Sequence, residues 1–315
     1  MALRTENLQA QHDSVSPGVM RLRAMFSGIS RGTERLVLNG AVPESEHTRM
    51  RCPFQDGDFP FPVKYGYCFV GEVVEGPPER VGETRFALHP HQNMAEIPVD
   101  AAVPLPDDLP PRRAVLAANM ETALTAVWDS GAAPGDRVLV VGAGVLGLLI
   151  AALAAAVPGT EVTISDLNPA RAAIANRLGI QFATRTEIAD SFDIAINASA
   201  SAGGLRLAME KAGHEARVVE ASWHGANDVT LPLGGAFHSR RLQLVSSHVG
   251  HIPTARAGRW SHRRRMETAL RLLAAMPELD ALITHELAFE DAPDRLPALI
   301  NDSADALCIV LRYAQ

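Results

Sequence analysis

Only three cysteines, Cys52, Cys68 and Cys308, occur in 315 residues, and none stands in a Cys-x-x-Cys spacing. An odd, scattered set disfavours a disulfide framework and a zinc ribbon, and a reducing cytoplasm is the expected setting. An excess of basic charge is also missing. The formal net charge is −7, whereas a dedicated nucleic-acid binder needs a basic face to neutralise phosphates. The local exception, Ser261-His262-Arg263-Arg264-Arg265, reads either as a solvated helix start or as a place for an anionic group. No clean membrane span is present: the apolar run 138–157 is broken by three glycines and stopped by Pro158, so it reads as a buried strand followed by a buried helix. The first ten residues are polar and charged, unlike a secretory leader.

What is present is an ordinary globular composition, 47% hydrophobic and 21% charged, on a chain long enough to bury two cores. The front is strand-rich. Residues 19–26 alternate between apolar and polar, Ser27-Gly28 and Arg31-Gly32 mark a loop, and 69–74 and 85–88 read as further strands. After the proline- and acid-rich stretch 104–111 comes a helical pattern over 112–130. From Asp136 the pattern becomes strand, helix, strand, helix: 137–141, 145–156, 161–165, 169–178, then 194–197, 203–212, 217–221 and a strand at 242–246. Short strands alternating with helices indicate a parallel sheet covered on both faces. A helix over 264–275 and strands at 282–285 and 308–313 follow, and these are expected to return to the first domain. The expected division is 1–122 with 250–315 for one domain and 123–249 for the inserted one.

Within the inserted part, Val141-Gly142-Ala143-Gly144-Val145-Leu146-Gly147 has the strand, G-x-G-x-x-G, helix arrangement. Gly142 allows the tight turn, Gly144 lets backbone approach a pyrophosphate, and Gly147 lets helix and strand pack closely. The N–H groups around Val145 and Leu146 and the positive end of the helix then face that anion. Asp166 follows the next strand, where a carboxylate accepts hydrogen bonds from both ribose hydroxyls and repels a 2′-phosphate. NAD(H) is therefore expected over NADP(H). Arg171, one helical turn on, reads as tolerating phosphate or as covering the adenosine edge.

These segments together make the chain resemble the medium-chain dehydrogenases/reductases, the zinc alcohol dehydrogenase superfamily. The loop Ser27-Gly28-Ile29-Ser30-Arg31-Gly32-Thr33-Glu34 is similar to that of the branch containing bacteriochlorophyllide dehydrogenase. Lys64-Tyr65-Gly66-Tyr67-Cys68 stands at the superfamily's Gly-His-Glu segment, and Leu282-Ile283-Thr284-His285 resembles its C-terminal return strand. The resemblance implies an α/β fold, a Rossmann-type doubly wound parallel sheet inserted into a GroES-like, partly β-rich catalytic domain, and a homodimer. Residues 2–8 resemble the family's second strand, which leaves the usual opening strand without a counterpart.

The family's catalytic zinc is held by thiolates and imidazole. Here Ser30 replaces the cysteine, Tyr67 the histidine and Cys68 the neighbouring glutamate, Asn119 stands near the later ligand, and the four-cysteine lobe is missing. No zinc is expected, although Cys68 with His89 or His91 is kept open as an unconventional metal site. Hydrogen-bond donors aimed at the reacting oxygen can replace a metal in part. Tyr67 is the leading candidate, with Ser30, Thr33 and Glu34 as a relay; alternatively its ring only fills the space of the absent metal. His91, Gln92 and Asn119 are candidates for substrate oxygens, Arg31 for the cofactor pyrophosphate and Thr122 for the nicotinamide. The alternative readings are a zinc-free enoyl or quinone reductase and a non-catalytic NAD-binding sensor or assembly subunit.

Overall fold

The computed structural model describes residues 3–5 and 14–314. Most of the segment 2–8 therefore lies outside the described residues. The chain divides into two compact units, Met1–Ala118 with Met266–Gln315, and Asn119–Arg265.

In the first unit, strand β1 (Val19–Ile29) is followed by α1 (Arg31–Leu38), the short hairpin of β2 (Asp56–Gly57) and β3 (Val63–Lys64), then β4 (Phe69–Glu75), β5 (Thr84–Ala87), β6 (Met94–Pro98), β7 (Ala102–Pro104) and α2 (Pro111–Ala114). Alternation in β1 is the ordinary two-residue period of a half-buried strand. Met20, Leu22 and Ala24 are wholly buried, while Arg21 and Arg23 face outward onto Glu75, Glu96 and Glu72 of the neighbouring strands. The expected loop at Ser27-Gly28 does not form. Ser27 and Gly28 pair with Leu311 and Val310 on one side, and Ser27 with Phe69 on the other, so the strand runs on to Ile29. A Cβ on Gly28 would stand 2.9 Å from the Val115 Cβ. This glycine thus serves close packing and not a turn.

The expected single helix 112–130 is two helices, α2 and α3 (Ala117–Ser130), separated where the Leu116 N–H bonds the Arg113 carbonyl in a tighter turn. Then come β8 (Arg137–Val141), α4 (Val145–Ala155), β9 (Glu161–Ser165), α5 (Arg171–Arg177), β10 (Gln181–Phe182), β11 (Phe192–Asn197), α6 (Ala202–Lys211), β12 (Ala212–Glu220), β13 (Gln243–Ser246) and α7 (Thr254–Ala257). The six strands lie in the order β10-β9-β8-β11-β12-β13 and all pair in parallel. That order is two three-strand halves starting from adjacent central strands, the doubly wound dinucleotide-binding arrangement. The apolar run 138–157 is β8 with α4, and no helix among the described residues is long and apolar enough to cross a membrane.

The second junction falls at 265/266, where sequence places it at 249/250. The reason is a buried cation. Arg265, 2% exposed, donates to Glu121 Oε1 at 2.8 Å, Thr125 Oγ1 at 3.1 Å and the carbonyls of Val249 and His251, while Trp260 packs 4.6 Å from Trp128. The basic run 261–265 therefore ends in a structural arginine. From α8 (His262–Ala275) the chain returns through β14 (Ile283–Ala288), α9 (Ala292–Asn301) and β15 (Cys308–Arg312). As expected, these late strands join the first sheet, ordered β14-β15-β1-β4-β5-β7 with β6 on β1.

Candidate functional site

At the carboxyl end of β8 the chain turns through Gly142 with φ +104°, a conformation side chains rarely adopt. Its N–H bonds the Ser165 carbonyl at 2.7 Å, and a Cβ there would meet Ala198 and Ser199 backbone at 2.8 Å. A Cβ on Gly147 would stand 1.8 Å from the Gly142 carbonyl oxygen. Gly144 differs from both: a Cβ there meets nothing within 4 Å. Gly144, Val145 and Leu146 are half-buried between the buried Ala143 and Gly147, and α4 has no side-chain cap. The first N–H groups of such a helix have no intrahelical acceptor, so this turn fits a pyrophosphate.

Asp166 closes the turn. Its Oδ2 accepts from Ala143 N–H at 2.7 Å and its Oδ1 from Asn168 N–H at 2.8 Å, which orients a carboxylate with further lone pairs for a ribose diol. Arg171, expected to meet phosphate or to cover the adenosine edge, is only 8% exposed. Asn119 and Thr122 are both half-buried in α3. Thr122, expected at the nicotinamide, lies inside that helix.

In the other unit, Ser30 caps α1, and its N–H donates to Glu34 Oε1 at 2.8 Å. His91 Nε2 stands 3.0 Å from Glu34 Oε2 and its Nδ1 2.8 Å from Ser27 Oγ, which in turn lies 2.8 Å from Tyr313 Oη. Tyr313, Ser27, His91 and Glu34 thus form one continuous chain of hydrogen-bond contacts, with the direction across the imidazole set by its tautomer. Both imidazole nitrogens are thereby used. His91, expected on a substrate oxygen, is instead a support for Glu34. Gln92 keeps a vacancy: its amide N–H bonds the Met94 carbonyl, but its buried Oε1 has no partner among the described residues.

Tyr67 is half-buried, with the Ser30 and Thr33 side chains beside its hydroxyl. Burial, with Cys68 and Glu34 nearby, pushes its phenol above the ordinary range, and the two hydroxyls offset this only in part. Tyr67 stays protonated at ordinary pH. It can accept from Ser30 and Thr33 while its own O–H points to a third group.

Arg31 does not serve a pyrophosphate. Its guanidinium is spent on the carbonyls of Ile300, Ser303 and Ala306, at and beyond the end of α9, where a cation satisfies carbonyls the helix leaves open. Arg31→Ala should therefore lower the melting temperature, by an amount matching about 2 kcal/mol, and leave NADH affinity unchanged in a fluorescence titration.

The donor set does not fit the family's zinc. Ser30 and Tyr67 offer hydroxyls where zinc takes thiolate and imidazole. His89 bonds the Pro90 carbonyl and stacks on Phe54, and His91 is engaged on both nitrogens. No group of three His, Cys, Asp or Glu residues among those described is placed to hold a metal, so the Cys68–histidine alternative has no third ligand. Sequence reasoning missed Ser27 and Tyr313, which are separated by 286 residues and meet only through the pairing of β1 with β15.

No family model matches the chain. Among curated proteins it is 25% identical over 223 residues to L-threonine 3-dehydrogenase of Mesorhizobium japonicum, covering 66% of this chain and 60% of that one. It is 26% identical over 195 residues to the enzyme of the same name from Bacillus velezensis, covering 59% and 54%. The matches thus span 60% or less of these relatives' lengths. Among solved structures, 2R,3R-butanediol dehydrogenase from Bacillus subtilis superposes with a TM-score of 0.75 at 18% identity, covering 98% of this chain and 96% of that one. A dehydrogenase from Escherichia coli CFT073 complexed with NADH gives 0.74 at 18% identity, covering 96% and 94%. The fold of the medium-chain alcohol dehydrogenases, Rossmann-type and GroES-like, is therefore the fold of this chain.

Proposed function

We propose that this protein is an NAD(H)-dependent, zinc-independent oxidoreductase that moves hydride between nicotinamide and a small secondary alcohol or ketone. The observation that carries this reading is the Tyr67 hydroxyl beside those of Ser30 and Thr33, with Ser30 and Tyr67 at positions where the resemblance puts metal ligands. The cofactor supplies the hydride acceptor or donor. Tyr67 donates its proton to the substrate oxygen during reduction, Ser30 and Thr33 stabilise the phenolate that forms, and a proton from solvent restores the phenol; oxidation runs through the same steps in reverse, the phenol first giving its proton to solvent. Glu34, held by Ser30 N–H and His91, fixes the start of α1 and with it both hydroxyls. Gln92 Oε1 is the open acceptor for a substrate hydroxyl. L-threonine and 2R,3R-butanediol, named in two relatives, both carry secondary alcohols. The loop Ser27–Glu34 supports placing the chain with the bacteriochlorophyllide dehydrogenase branch.

Asp166 makes NADH the preferred cofactor. Titration of protein fluorescence should show NADH binding more tightly than NADPH, and Asp166→Ala should weaken NADH by about tenfold and narrow the preference. Tighter NADPH binding would remove the ribose argument and return the enoyl or quinone reductase to consideration. Tight NADH binding without turnover on any alcohol, ketone or enone would favour the sensor.

The edge strand β13 is mostly exposed, with Leu244 on its surface, and an open edge is a template for pairing. A homodimer through this edge is proposed, with a cytoplasmic location in keeping with three free cysteines. Leu244→Lys should shift the sedimentation coefficient from dimer to monomer; a monomeric wild type would rule the dimer out.

A further inference from the structure

The nucleotide-binding sheet is built twice over, and so is its acidic corner. Strands β8 and β9 begin one half, β11 and β12 the other. Asp166 stands just past the end of β9, and Glu220 is the last residue of β12. Asp166 Oδ1 accepts from the N–H two residues on, Asn168, at 2.8 Å, and Glu220 Oε1 does the same with Ser222 at 2.8 Å. The second oxygen of each carboxylate accepts from the end of the neighbouring strand. For Asp166 this is Ala143 N–H at 2.7 Å, and for Glu220 it is Asn197 Nδ2 at 2.7 Å. The two carboxylates thus occupy equivalent places in the two mononucleotide halves, and they are held in the same manner.

One further atom marks the second corner as a binding place. His224 Nε2 lies 3.2 Å from Glu220 Oε2 without hydrogen-bond alignment, and it is buried with no aligned partner among the described residues. Buried polar atoms are seldom left so. The corner also abuts the glycine turn. Asn197 Oδ1 accepts from Ser199, and Ser199 backbone is what a Cβ on Gly142 would strike.

We propose that Glu220, with His224 beside it, binds the two hydroxyls of the nicotinamide-side ribose, as the counterpart of Asp166 on the adenosine side. The proposal rests on the cofactor reading above. A carboxylate with two spare lone pairs and an imidazole nitrogen together offer acceptors and a donor to a vicinal diol. A purely structural Glu220 would tie β11 to β12 and no more.

Three ligands separate these roles in the intact chain. NADH and ADP-ribose carry the second ribose, and ADP does not. Glu220→Gln should weaken NADH and ADP-ribose about tenfold and leave ADP unchanged. His224→Gln, which removes no aligned protein contact, should weaken NADH and ADP-ribose several-fold with ADP again unchanged, and it stands as the test even should Glu220→Gln not fold. Unchanged NADH and ADP-ribose affinities in both variants, or ADP affinity falling equally with them, would overturn the proposal and leave the cofactor reading intact. A wild-type protein that binds neither NADH nor ADP would overturn both.

Discussion

Tyr67→Phe should lower kcat/KM for hydride transfer by about 100- to 1000-fold and leave NADH affinity unchanged. The phenyl ring keeps the volume and the packing against Tyr65; what disappears is one O–H donor and the acceptor for Ser30 and Thr33. Each unmet hydroxyl costs stability of about 1 kcal/mol, too little to unfold a chain of this size, so a loss of rate reads as lost proton transfer and lost charge stabilisation. The same preparation decides the metal. Elemental analysis should find less than one zinc per chain, and a chelator should leave the rate unchanged. Full activity in the phenylalanine variant, or stoichiometric zinc in the wild type, would refute Tyr67 as the donor.

The second large effect separates two glycines three residues apart. Gly147→Ala puts a methyl group 1.8 Å from the Gly142 carbonyl oxygen, where helix and strand backbones both resist movement. A loss of about 3 kcal/mol or more is expected, seen as a large fall in melting temperature. Gly144→Ala has open space around its new Cβ and a φ of −78° that alanine accepts. Stability should hold or rise by about 0.5 kcal/mol, while NADH binding falls by about 100-fold because the methyl group occupies the space of the pyrophosphate. A Gly144→Ala protein that binds NADH normally would mean that the phosphates lie elsewhere. A Gly147→Ala protein that melts like the wild type would contradict the contact itself.

The sequence by itself determined what depends on near neighbours. Strand β8 appears at the residues its apolar run 138–141 indicates, because a central strand buried on both faces is apolar along its length. The turn from Gly142 to Gly147 and the place of Asp166 follow from steric demands that act over a few residues and one strand length. Ser30, Tyr67 and Cys68 were equally visible as the residues that the resemblance sets where the family holds its metal.

Tertiary structure alone decided which polar groups meet. An arginine shows no sign in its own segment of what it will bind, so Arg31 on the 300–306 carbonyls and Arg265 on Glu121 became known only once distant segments packed. Ser27-Gly28 looked like a loop because small residues favour turns; strands β4 and β15 on either side, with Val115 against Gly28, hold it extended. His91 looked open as a loop residue until Ser27 and Glu34 closed on its two nitrogens. Glu220 drew no notice in its own segment, and Asn197 and Ser222 give it a setting like that of Asp166. A hydrogen bond between residues far apart in the chain has no local periodicity or spacing to announce it, and it forms only where packing removes the water that would otherwise serve both partners.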